Sequence, residues 1–156
     1  MPTIAIDTEH VHDAKRSIRK MSILQYFACA PILGAAYIVD GSKPEWLAVD
    51  NPNFMDWIAW LREEVAENPS WTMVAYNTSF DWRSLRYGRV SVDAQPLGVP
   101  HPMISHDVMA MARAAWPGQP IVLPGSKSYA LANVAAWLGL PPKLSMDDAK
   151  KGLGSW

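Results

Sequence analysis

Asp7 and Glu9 are the first residues in the chain whose types and spacing imply chemistry. They stand two apart at the end of a short apolar run, residues 3–7 (TIAID), that reads as a buried strand. A strand's period of two puts both carboxylates on one face, converging on one point. Carboxylates that close repel one another, and the arrangement is costly unless a cation neutralises them. Mg²⁺ or Mn²⁺ suits such an all-oxygen site. Taken alone, an Asp-x-Glu pair also describes ordinary surface acids. A third acid sharpens the pattern. Residues 71–76 (WTMVAY) read as another buried strand, and Asn77-Thr78-Ser79-Phe80-Asp81 follows it. Asp81 therefore falls in the first turn of the next helix, at the strand end where ligands sit in α/β folds. A lone acid there also complements the helix dipole, but that does not account for acids at two strand ends. Asn77 either caps the helix or orients the acid site.

The elements that must position these acids follow from pattern. Residues 12–20 are polar and basic, a loop or short helix. Residues 31–40, a Gly-containing turn at Gly41-Ser42, and residues 44–49 read as a hairpin. Phe54, Trp57, Ile58, Leu61 and Val65 recur at helical period, with Asn-Pro on both sides, which predicts a helix over 53–67. A helix over 78–87 opens at Asn77 or Thr78. Residues 90–102 hold three prolines and one glycine and read as a loop. Residues 107–116 read as a helix stopped by Pro117-Gly118, and 118–127 as a second loop. Residues 128–138 read as a helix with Ser128 as cap and Gly139 as stop, and 145–151 as a short one. There is no internal repeat and no linker. Strands come first and in the middle with helices between and after, an α/β layer architecture.

Composition bounds the rest. The chain has 156 residues, 49% of them hydrophobic and 19% charged, which is one globular domain's worth and excludes a disordered tail or a coiled coil. Its most apolar stretch, 23–39, is broken by Gln25, Pro31 and Gly34, too short a run to cross a membrane. The N-terminus is acidic where a signal peptide needs a basic start. The single Cys29 has no disulfide or zinc partner within the chain, so a reducing, intracellular setting is expected. A net charge of −1 means that any nucleic-acid partner requires a local basic patch.

IAIDTEH followed by VAYNTSFD resembles the first two motifs of the DEDD (DnaQ-like) 3′→5′ exonucleases. The nearer likeness is to the proofreading exonuclease domain of bacteriophage family A DNA polymerases. QYFACAPILGAAYIVDGSKPEW is similar to that family's segment and hairpin after the first motif. DVMAMARAAWPG and SYALANVAAWLGLPPK are similar to its later helices, so the resemblance spans residues 3–145. It implies an RNase H-like (DnaQ-like exonuclease) fold, a central mixed β-sheet flanked by helices, in a single exonuclease domain over residues 1–156. It also implies a metal-dependent phosphodiesterase acting on the 3′ end of single-stranded DNA, releasing nucleoside monophosphates. Asp7, Glu9 and Asp81 would hold two Mg²⁺ or Mn²⁺ ions ~4 Å apart across the scissile phosphate. Thr8, lying between the acids and pointing away from them, would present its backbone to the terminal nucleotide. His10, Asn77, Phe80 and Lys143 are the other candidate substrate contacts. A DNA polymerase is a candidate partner, no membrane is expected, and the host cytoplasm is the expected location if the chain is phage-encoded.

The third motif departs from the family, which supplies a fourth carboxylate with a Tyr four residues or a His five residues before it. Asp148 in LSMDDAKK occupies that place, but Lys143 stands where His would be. A lysine ammonium has no acceptor for a water's proton. Either Asp148 is the fourth ligand or the motif is missing from this chain. Lys15, Arg16, Arg19 and Lys20, and the helical pair Arg83 and Arg86 with Arg89 beyond, are solvated faces or phosphate-binding patches. His10 reads first as a surface histidine and second as a partner of the acids or a nucleotide contact. His101 and His106 carry no role, and Asp107 reads first as the N-terminal complement of a helix and second as an acid approaching the metal site. Trp57, Trp60, Met109 and Trp137 read as core, as do Tyr26 and Phe27, although single-stranded DNA stacks on such rings. The enzyme reading is preferred over two others: an exonuclease-fold module that binds DNA ends or a polymerase without cutting, and an exoribonuclease on short RNA.

Overall fold

The computed structural model describes residues 1–11, 19–118 and 122–142. Lys15, Arg16, Lys143, Asp148 and the helix expected over 145–151 lie outside the described residues. The chain divides into two compact units, Met1–His106 and Asp107–Trp156.

The apolar run at the N-terminus is longer than its hydrophobic part. Strand β1 covers Thr3–His10, and its residues alternate between half-buried and buried along its whole length. Asp7 and Glu9 share one face; Ile4, Ile6, Thr8 and His10 share the other. Helix α1, Ile23–Cys29, follows. Its start is a reciprocal capping box: the Gln25 N–H donates to the Ser22 hydroxyl, and the Ser22 N–H donates to the Gln25 side chain. The apolar pattern alone did not predict this helix, but the Ser-x-x-Gln spacing is a signal for it.

Strands β2, Ile32–Val39, and β3, Glu45–Ala48, form the expected hairpin. Its tight turn is Asp40-Gly41 rather than Gly41-Ser42. Both residues have positive φ (48° and 71°), and the Ser42 N–H donates to the Val39 carbonyl. Such a turn matches the twist of antiparallel strands, and Asp-Gly tolerates it best. Helix α2, Phe54–Glu67, and strand β4, Thr72–Ala75, match the periodicity. Helix α3, Thr78–Tyr87, begins where predicted, with Asn77 as its N-cap. Strand β5, Ile104–Asp107, is new: four mixed residues near proline carry no strand period, and the ladder alone makes them a strand.

The five strands form one mixed sheet in the order β3-β2-β1-β4-β5, with β1 antiparallel to β2 and parallel to β4. This mixed α/β architecture is compatible with an RNase H-like fold. The core lies on the Ile4/Ile6 face. Phe54, Trp57, Ile58 and Leu61, one stripe of α2, pack there with Ala35, Met73, Ala75 and Leu85. Trp57 is core as read, and Trp60 packs half-buried beside it. The outer face of β1 bears the acids.

In the second unit, helix α4, Val108–Ala115, is capped by Asp107, whose carboxylate accepts from the Ala110 N–H. Helix α5 is Leu131–Trp137, three residues shorter at its start than the pattern suggests. Ser128 does not cap it; the Ser128 carbonyl instead accepts from the Asn133 amide. Asn133 is buried, and its Oδ1 accepts from the N–H groups of Val122 and Leu123 at 2.8 and 2.9 Å. Asn133→Leu would leave two backbone donors and one carbonyl without partners. It is expected to lower unfolding free energy by about 2 kcal/mol and to lose hydrogen-exchange protection at Val122 and Leu123. Unchanged protection there would show that the side chain does not hold this loop.

Candidate active site

The two acids of β1 meet α3 through the residue that separates them. Asp81 is 3% exposed, and its Oδ1 accepts from both the Thr8 N–H and the Thr8 hydroxyl, each at 2.9 Å. Asn77 makes this possible: its side chain accepts from the Phe80 N–H, starting the helix so that Asp81 lies in the first turn. The Thr78 hydroxyl donates to the His106 carbonyl at 2.7 Å, tying that first turn to β5. Burial pushes the Asp81 carboxyl up to about 7, and the charges of Asp7 and Glu9 push in the same direction. The two bonds from Thr8 oppose this and do not cancel it.

Thr8 does point away from Asp7 and Glu9, as the strand period requires. Its N–H, however, is committed to Asp81, so it holds a carboxylate in place rather than offering that amide to a nucleotide.

His10 is buried, not on the surface, at 7% exposure. One ring nitrogen lies 2.8 Å from the Ala30 carbonyl and the other 2.6 Å from the Ser84 hydroxyl. Tyr26, Phe27 and Phe80 surround the ring. Desolvation lowers its pKa, although the Ala30 bond and the charge of Glu9 work against that. His10 thus clamps the end of β1 to the C-terminus of α1 and to α3. Tyr26 and Phe27 are core, as read, and half-buried Phe80 packs into the same cluster. Next to this clamp, Gly88 closes α3: a Cβ there would sit 2.2 Å from the Ser84 carbonyl oxygen. His10→Leu keeps the apolar packing but strands a buried hydroxyl and a buried carbonyl. It is expected to cost about 2–3 kcal/mol in denaturant unfolding. A loss under ~0.5 kcal/mol would show that neither bond matters to stability.

Other candidates resolve as structural contacts. Arg86 lies 5.8 Å over the Trp82 ring and 5.6 Å over that of Tyr87, while His101 meets Trp82 edge-on at 4.3 Å. Trp137 packs against Trp116.

The donor set around Asp81 is all carboxylate oxygen, the chemistry of a hard divalent cation. Among the described residues, however, no three His, Cys, Asp or Glu side chains already converge as a metal cluster. The strand period accounts for this: Asp81 is held on the Thr8 side of β1, whereas the side chains of Asp7 and Glu9 stand on its other face. The geometry brings Asp7, Glu9, Thr8 and Asp81 into one neighbourhood, with Asn77 at its edge.

The fold has a likeness to part of a solved DNA polymerase. It is similar to the family B DNA polymerase from the hyperthermophilic archaeon Pyrobaculum calidifontis, with a TM-score of 0.53 and 18% identity. The match covers 90% of this chain and 18% of that polymerase, so this chain spans less than a fifth of its length. No family model matches the chain. No curated protein matches it in sequence. Among the described residues, no helix is long and apolar enough to cross a membrane.

Proposed function

We propose that this chain is a metal-dependent 3′→5′ exonuclease that hydrolyses phosphodiester bonds at the 3′ end of single-stranded DNA, on an RNase H-like fold of the proofreading type. One observation carries the reading: a buried carboxyl, Asp81, is fastened to Thr8 between Asp7 and Glu9 and is held near a pKa of 7 by burial and by those two acids. A cation would relieve the effect that the charges of Asp7 and Glu9 have on this carboxyl. The likeness to part of a DNA polymerase supports a nucleic-acid substrate.

Asp7, Glu9 and Asp81 would hold Mg²⁺ or Mn²⁺, with Asp148 as fourth ligand. Such ions supply an activated water and stabilise charge on the leaving oxygen. Thr8 keeps Asp81 at the strand, Asn77 sets the helix start, and His10 with Phe80 fixes the end of β1 from the core side.

The test is a time course on 5′-labelled single-stranded DNA with Mg²⁺ or Mn²⁺, alongside EDTA, a matching RNA, and Asp148→Ala. A metal-dependent ladder shortening from the 3′ end is expected. Loss of that ladder in a folded Asp148→Ala variant would make Asp148 the fourth ligand. No cleavage with either metal would overturn the enzyme reading. Retained DNA binding would then favour a non-cutting module.

A further inference from the structure

Trp46 stands apart from the other tryptophans. Among the described residues, Trp57, Trp60, Trp71, Trp82, Trp116 and Trp137 each pack against another aromatic ring, whereas Trp46 packs against none. It is 39% exposed on β3, an edge strand of the sheet.

The strand register says where its ring lies. Asp7 pairs with Ala36, which pairs with Trp46; Glu9 pairs with Gly34, which pairs with Ala48. Directly paired residues share a sheet face, so Trp46 is on the outer face with the two acids, opposite the core. Its indole leans diagonally over Gly34: Cζ2 and Cη2 lie 2.7 and 2.8 Å from where a Cβ of Gly34 would be. No other residue type leaves room for the ring there. Cross-strand partners hold their Cβ positions about 5 Å apart. The edge of the indole therefore lies about one side chain from Glu9. On β2, between the acids and the ring, this face carries the small residues Gly34 and Ala36. The row from Asp7 to Trp46 is two strand spacings, about 10 Å, which the phosphate, sugar and base of one nucleotide can bridge. At Glu9/His10 the register shifts, Leu33 being the extra residue on β2. Bulges of this kind re-aim side chains beside functional sites.

We infer that Trp46, seated on Gly34, is a stacking platform for a nucleobase of the single-stranded DNA whose 3′ phosphodiester lies at Asp7 and Glu9. This rests on the exonuclease reading. A base stacks on any aromatic face whatever its identity, so the platform favours single strands without selecting sequence.

The test uses the full chain and two readouts. The first is anisotropy of a 5′-labelled single-stranded oligonucleotide in EDTA, where nothing is cut; the second is cleavage with Mg²⁺. Trp46→Ala and Trp46→Leu are expected to weaken binding and raise KM about ten-fold, with kcat changed much less, while Trp46→Phe keeps most of the affinity. Leucine retains an apolar cover over Gly34, so its loss reports on the ring rather than on folding. An abasic site at the contacted position is expected to weaken the wild type by a similar factor and to leave Trp46→Leu unaffected. Equal affinity of Trp46→Leu and wild type, with cleavage intact, overturns the platform and leaves the exonuclease standing. Trp46-dependent binding without cleavage supports the platform and overturns the exonuclease. No binding by the wild type overturns both.

Discussion

Asp7→Ala is expected to slow metal-dependent release of 3′ nucleotides by about a thousand-fold or more, with the protein still folded. The size follows from chemistry rather than packing. Asp7 is half-buried on the outer face of β1 and outside the core, so its truncation removes little apolar contact. It is also the larger of the two neighbouring charges acting on Asp81, ahead of Glu9. In the proposed reaction, losing one carboxylate from a set that would hold cations against a phosphate removes several kcal/mol of transition-state charge stabilisation, and each ~1.4 kcal/mol is ten-fold in rate. Steady-state cleavage across a Mg²⁺ and Mn²⁺ series measures this. Asp93→Ala, at an exposed loop acid, is the control and should cleave like the wild type. Wild-type rates for Asp7→Ala in Mg²⁺ would remove the acid site from the mechanism.

Without added metal, the protein is expected to become more stable as pH is lowered from 8 towards 5, and Asp81→Asn is expected to abolish most of that gain. The folded Asp81 carboxyl has a pKa of about 7 against an ordinary 3.8. Between those values the folded state binds the proton and the unfolded state does not. Stability therefore falls as pH rises through this window, and the full cost persists above 7. The shift corresponds to roughly 4 kcal/mol at most. His10 works in the opposite sense: its lowered pKa makes stability fall as pH drops below its ordinary 6.5. The difference between wild type and Asp81→Asn isolates the carboxyl, because asparagine still accepts both bonds from Thr8. In chemical denaturation with EDTA, the variant should exceed the wild type at pH 8 by a few kcal/mol and converge with it near pH 4. Mg²⁺ or Mn²⁺ at pH 8 should stabilise the wild type by mass action and the variant less. Parallel pH profiles for the two proteins would show that Asp81 is ionised without strain.

Much of the frame was legible before any coordinates. The stripe Phe54, Trp57, Ile58 and Leu61 reads as a helix and is one, because a period of 3.6 leaves little else for it to be. Asn77 ahead of Asp81 reads as a cap for the same local reason. The burial of His10 does not follow from its neighbours in sequence, because burial is not a local property: an imidazole next to an acid is usually solvated. Here Ala30 and Ser84, 20 and 74 residues away, supply its two partners. Strand β5 was invisible because four mixed residues near proline carry no period, and only a neighbouring strand makes them one.

Residue spacing is enough to put two carboxylates on one strand face and a third at the start of the helix after another strand. Those facts follow from periods of two and 3.6 and from the chemistry of a cap, which act over a few residues. Long-range packing is what fastens Asp81 to Thr8, makes His10 a clamp, and lays Trp46 over the glycine paired with Glu9. Each depends on strand register and on burial, which are set by how distant segments pack together and by no spacing within one segment.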